Sequence, residues 1–218
     1  MSKIIVMMGA PGAGKGTQAR MLEDSLGLPQ ISTGDMFRAL LKSESPLAEE
    51  VRPILASGTL VPDDLTVRIV RERTGQDDAR EGYILDGFPR TIPQAEMLEA
   101  LAAEQGHDLV AVLVDVPFDV LEKRVTGRRT CPVCGEIYNI HFKPPKSDGV
   151  CDMHPEAQLK QRADDNAETI KTRVATYERD TEPILDYYDK IGRLRRVDGT
   201  RDLEAIYADV EKAVNRKS

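Results

Sequence analysis

Lys15 and Thr17 stand among closely spaced glycines in the run Gly9-Ala-Pro-Gly-Ala-Gly-Lys-Gly-Thr17. Gly9, Gly12 and Gly14 open backbone conformations closed to residues with a Cβ, so successive N–H groups can point inward at one anion. Lys15 supplies a mobile ammonium for β- and γ-phosphates and Thr17 a hydroxyl for Mg²⁺. The run from Gly12 through Ala13, Gly14, Lys15 and Gly16 to Thr17 is therefore expected to hold a nucleoside triphosphate. The generic loop places Ser or Thr directly after its lysine; here Gly16 intervenes.

A second constellation is Asp86-Gly87-Phe88-Pro89-Arg90, which follows the apolar run Tyr83-Ile-Leu. Ligands gather at the carboxyl ends of parallel strands, so Asp86 is expected beside the glycine loop, where it could hold Mg²⁺ through water. Arg90, in a stiff turn, suits bidentate phosphate binding better than a lysine would. Arg124, Arg128, Arg129, Arg162 and Arg173 concentrate further positive charge in a chain of net charge −7. That contrast points to a small polyanionic ligand and away from a nucleic-acid polymer.

The third constellation is Cys131-Pro-Val-Cys134 with Cys151-Asp-Met-His154. Two knuckles with two-residue gaps form a Cys₃His pattern for a closed tetrahedral Zn²⁺, which leaves no open position for substrate and implies a structural role. Asp152 and His141 are the other candidates for the fourth position. The odd number of cysteines argues against disulfides.

These groups need a scaffold. Strands are expected at Ile4–Met8, Gln30–Ile31, Tyr83–Asp86, Leu109–Val116 and Leu194–Val197. Helices are expected at Thr17–Leu26, Asp63–Arg73, Pro93–Gln105, Asp165–Lys190 (interrupted by Pro183) and Asp202–Val214. Strands alternating with helices predict an α/β fold, a parallel sheet covered on both faces. Residues 32–61 read as helical with no strand, and 127–165 as a cysteine-, proline- and glycine-bearing stretch, so both are expected to be insertions on the core. Ser32 or Thr33 can cap a helix in which Arg38 lies one turn on.

The 218 residues are enough for one main domain with small insertions, and 40% apolar with 31% charged residues describes a soluble chain. No apolar run is long enough to cross a membrane, and the N-terminal one is too short for a signal peptide, so a cytoplasmic protein is expected.

Together the glycine loop with Gly16 between Lys15 and Thr17, the Asp86–Arg90 signature and the cysteine knuckles resemble the adenylate kinase family, from residue 3 to the end. The resemblance implies a P-loop nucleoside-monophosphate-kinase fold. Its core would comprise 1–31, 62–126 and 166–218, its AMP-binding insertion 32–61, and its long zinc-bearing lid 127–165. It implies reversible γ-phosphoryl transfer from Mg-ATP to AMP, giving two ADP, by a monomer with neither nucleic acid nor membrane as partner. ATP would meet the glycine loop, Arg124, Ile137, Tyr138 and the backbone near Arg201. AMP would meet Thr33, Arg38, the backbone of Thr59, Leu60 and Val61, the Gly87–Arg90 turn, and Gln94, whose amide could read an adenine edge. Lys15, Arg90, Arg124, Arg128, Arg162 and Arg173 would surround the transferring group, with Asp86 anchoring Mg²⁺. Asp164 and Asp165 could pair with lid arginines or remain solvated. A UMP/CMP kinase, or a nucleotide switch with a partner-binding zinc knuckle, are the alternative readings.

Overall fold

A computed structural model describes residues 2–216. Five parallel strands form the central sheet: β1 (Lys3–Met8), β2 (Gln30–Ser32), β3 (Gly82–Asp86), β4 (Asp108–Asp115) and β7 (Leu194–Asp198), in the order β2-β3-β1-β4-β7. The apolar runs are continuous because both faces of the sheet are covered. Ile4, Val6 and Met8 of β1 pack on one side with Tyr83, Leu85, Leu109, Ala111 and Leu113. Ile5 and Met7 pack on the other with Ile84, Val110, Val112 and Val114.

Helices α4 (Asp63–Thr74), α5 (Ile92–Gln105) and α8 (Pro183–Lys190) cover the first face, contributing Val70, Leu98 and Tyr188. Helices α1 (Lys15–Leu26), α6 (Phe118–Thr126) and α9 (Leu203–Asn215) cover the second through Leu22, Leu121 and Val210. The in-register pairing of Met7 and Ser32 with Asp86 brings three strand ends to one edge.

Two segments leave this layered plan. Helices α2 (Thr33–Leu40) and α3 (Pro46–Ser57) build a small second apolar centre in which Phe37 and Val51 meet Val61 and Leu65, the latter from α4. Ser32, the last residue of β2, caps α2 by accepting from Asp35 N at 3.2 Å. Farther on, β5 (Arg128–Thr130) and β6 (Ile137–Asn139) form an antiparallel hairpin whose connection is the Cys131–Cys134 knuckle. The first knuckle is thus itself the turn of the hairpin.

The expected helix from Asp165 to Lys190 is two helices. Asn166 caps α7 (Ala167–Thr176), its side chain accepting from Thr169 N at 2.8 Å, so Asp165 lies outside the helix. The break begins before Pro183, as a wide turn over Tyr177–Thr181 in which Glu182 N donates to Tyr177 O at 2.8 Å. Proline lacks an N–H and its ring crowds the carbonyl four residues back, and the wider turn relieves both constraints.

Candidate active site

A cavity of about 750 Å³ opens at the carboxyl ends of β1 and β3, between the glycine loop, the start of α2 and the β5–β6 hairpin. The loop turns into α1 through Gly14, which caps that helix at φ 98°, a left-handed conformation that a side chain resists. Gly16 sits in the first turn of α1, where a Cβ would lie 3.0 Å from the Asp86 carboxylate. The glycine that separates Lys15 from Thr17 thus lets the strand-end aspartate approach the phosphate loop closely.

Lys15 folds back onto its loop, donating to Gly9 O at 2.7 Å and Ala10 O at 3.0 Å. Burial lowers its ammonium to about 8, partly offset by the Asp86 charge. Arg90 donates through Nε to Gly87 O at 2.7 Å, and burial, reinforced by the nearby Arg173 charge, lowers it to about 10. Neither Lys15 nor Arg90 has a carboxylate ion-pair partner among the described residues. Two enclosed cations that repel their neighbours favour an arriving anion.

The other arginines reach the same cavity from different elements. Arg128 makes a two-pronged pair with Asp165, which is 1% exposed. Burial opposes the Arg128 charge, but the Asp165 bonds outweigh it and raise the guanidinium. Arg173 donates to Asp164 at 2.8 Å. The two aspartates therefore pair with arginines instead of standing in solvent. Burial lowers Arg162 to about 10, and its guanidinium lies 3.9 Å from Asp35, which also holds Arg38 at 2.7 Å. Arg124 donates to Gly199 O at 2.9 Å and Ala13 O at 3.3 Å.

The cavity wall includes Gly12 to Thr17, Arg38, Leu60, Asp86, Gly87, Pro89 and Arg90, along with Arg124, Ile137, Tyr138 and Arg201. Thr33, Thr59, Val61, Phe88 and Gln94 stand outside that wall. Thr33 donates to Gly87 O at 2.8 Å, and Thr59 lies at the α3 end, 3.3 Å from Ile54 O. Val61 and Phe88 are core residues. Gln94 is buried with its amide engaged by neighbours. The sequence reading missed Phe142, which lines the cavity with the Arg124 guanidinium 5.5 Å from its ring centre. An aromatic in a polar, proline-rich stretch was the only signal for it.

In the third constellation the ligand atoms of Cys131, Cys134, Cys151 and His154 all lie within 4.8 Å of one another. The Cys134 and Cys151 sulfurs are 3.8 Å apart, and Cys151 Sγ is 3.8 Å from His154 Nδ1. Tetrahedral Zn–S bonds of about 2.3 Å give an S···S edge of about 3.8 Å, so the spacing and the soft donor set fit zinc. Backbone bonds shape both knuckles: Gly135 N donates to Cys131 O at 3.0 Å, and Ala157 N to His154 O at 2.8 Å. The two substitutes considered for the fourth position lie outside the cluster. Asp152 accepts from Lys146 N at 2.8 Å, and His141 packs edge-on against Phe142.

A parallel sheet with this strand order, a glycine loop after its central strand, and arginines converging on that loop define a P-loop phosphotransferase of the nucleoside-monophosphate-kinase fold. The family model described as adenylate kinase matches residues 7–193. The chain is 49% identical over 208 residues to an adenylate kinase of Bacillus subtilis (strain 168), covering 95% of each chain. It is 46% identical over 213 residues to an adenylate kinase of Carboxydothermus hydrogenoformans, covering 97% of this chain and 99% of the relative. An adenylate kinase of Thermodesulfovibrio yellowstonii is 46% identical over 214 residues, covering 98% and 99%. The chain belongs to the adenylate kinase family.

Proposed function

We propose that this protein transfers the γ-phosphoryl group of Mg-ATP reversibly to AMP, giving two ADP. The observation that carries the reading is the convergence of Lys15 and Arg90, both without a carboxylate partner, with Arg128, Arg162 and Arg173 on one cavity. An AMP phosphate oxygen is ionised at neutral pH and needs no general base. The chain's task is then to position two phosphates in line and neutralise charge on the group passing between them.

In this reading ATP lies along Gly12–Thr17, with Arg124 and Phe142 gripping its base side and Ile137, Tyr138 and Arg201 completing the pocket. AMP lies toward Thr33, Arg38, the Thr59–Val61 backbone, the Gly87–Arg90 turn and Gln94. Thr17 and Asp86 are the residues that would hold Mg²⁺ arriving with ATP, and its charge would offset that of the phosphates. Residues 32–61 and 127–165 act as the two covers and the remainder as the core. Arg128 and Arg162 line the cavity from the second cover, and enclosing the nucleotides there would keep water from competing as acceptor. The Cys131, Cys134, Cys151 and His154 cluster would hold Zn²⁺ as a brace for the lid, outside the chemistry. One chain carries both nucleotide sites, so the reaction needs no second copy.

Arg90→Ala tests this assignment. It should lower kcat by about 10²- to 10³-fold, the effect of removing one charge-stabilising donor. Its Tm without nucleotide should hold or rise, because a cation that burial and the Arg173 charge disfavour has gone. A near-normal rate would take Arg90 out of the reaction.

A further inference from the structure

Gln94 is 2% exposed, yet both ends of its amide are held. Oε1 accepts from Arg90 N at 2.7 Å, and Nε2 donates to Asp63 Oδ1 at 2.6 Å. A backbone N–H only donates and a carboxylate only accepts, so the two partners dictate which end of the amide is oxygen. Asp63 is itself fixed: its Oδ2 accepts from the Thr91 hydroxyl at 2.8 Å, while Thr91 Oγ1 accepts from Gln94 N at 3.3 Å. The first turn of α4 thereby anchors the first turn of α5.

Turning the Gln94 amide over would set its oxygen against a carboxylate and its NH₂ against an N–H. Both bonds would be lost at a side chain buried from bulk solvent. Each amide atom retains one further position, a second lone pair on Oε1 and a second hydrogen on Nε2, with no partner among the described residues.

We propose that Asp63 sets purine specificity by locking Gln94 in the one orientation that presents an acceptor to an exocyclic amine and a donor to a ring nitrogen. A 6-aminopurine satisfies that edge. A 6-oxopurine brings an oxygen to the Gln94 oxygen, and the lock prevents the amide from turning to suit it. Asp63 acts through Gln94 and is a positioning residue. The proposal rests on the reading of the Arg90 side as the AMP site.

Asp63→Asn tests it with little change of shape, because an asparagine can face either end of the Gln94 amide. With saturating Mg-ATP, kcat/KM is measured for AMP and for IMP. The AMP-over-IMP ratio should fall about tenfold, the worth of one charge-assisted hydrogen bond. The fall should be carried by KM for the acceptor, with KM for ATP and Tm unchanged. Asp63→Ser, whose hydroxyl also both donates and accepts, should give the same loss of ratio. An unchanged ratio with a lowered Tm would reduce Asp63 to a tie between two helices and overturn the proposal. Gln94→Leu separates the two levels of the argument. A ratio lost in Gln94→Leu but kept in both Asp63 variants refutes the lock alone, and a ratio kept in all three removes Gln94 from the acceptor site.

Discussion

Lys15 is held by two carbonyl groups of its own loop, and burial brings its ammonium down to about 8. Below that value the free enzyme offers a cation to the phosphates; as pH rises through it the proton leaves and the attraction goes with it. Bound phosphates favour the charged form and raise the value again. The kcat/KM for Mg-ATP is therefore predicted to fall above about pH 8, approaching tenfold per pH unit, while kcat at saturating nucleotide falls later. A profile of kcat/KM that stays flat to pH 10 would show that Lys15 keeps its proton by other means. Lys15, Arg90 and the cysteines were legible in the sequence because each sits in a short motif whose spacing already states its chemistry. Phe142 and Asp63 were not. Their meaning comes from Arg124 and Gln94, partners on other elements that only the fold brings near.

At the scale of elements, the two knuckles hold the lid's small centre together. Cys131 and Cys151 are buried beside Tyr138, whose hydroxyl lies 3.5 Å from Cys151 Sγ and accepts from Asp152 N at 2.9 Å. Few apolar side chains back this cluster, so a metal would supply much of the segment's cohesion. Cys134→Ser is predicted to lower bound zinc and Tm together while leaving kcat within about twofold well below the melting point. Loss of activity at every temperature with Tm intact would move the cluster from support to chemistry. Strands β1, β3 and β4 were legible as apolar runs because they are buried on both faces. The β5–β6 hairpin was not, since three-residue strands around a knuckle carry no periodicity. The start of α7 was misplaced because Asp165 resembles a capping residue in sequence. In the structure it is committed to Arg128, and Asn166 caps instead.

Across the whole molecule, a chain of net charge −7 gathers its enclosed cations on a single cavity. No helix among the described residues is long and apolar enough to cross a membrane. The order of the motifs along the chain made the family legible. What the sequence could not convey is how residues from α1, the turn after β3, the hairpin and α7 meet over one space, because each lies in a different segment. The central claim is that this meeting place passes a phosphoryl group between two nucleotides. The most direct test measures ADP formed from Mg-ATP with AMP, CMP, UMP, GMP or water as acceptor. Rapid turnover with AMP, yielding two ADP per ATP consumed and far exceeding the other acceptors, is the predicted result. Slow release of inorganic phosphate with no transfer to any monophosphate would contradict it.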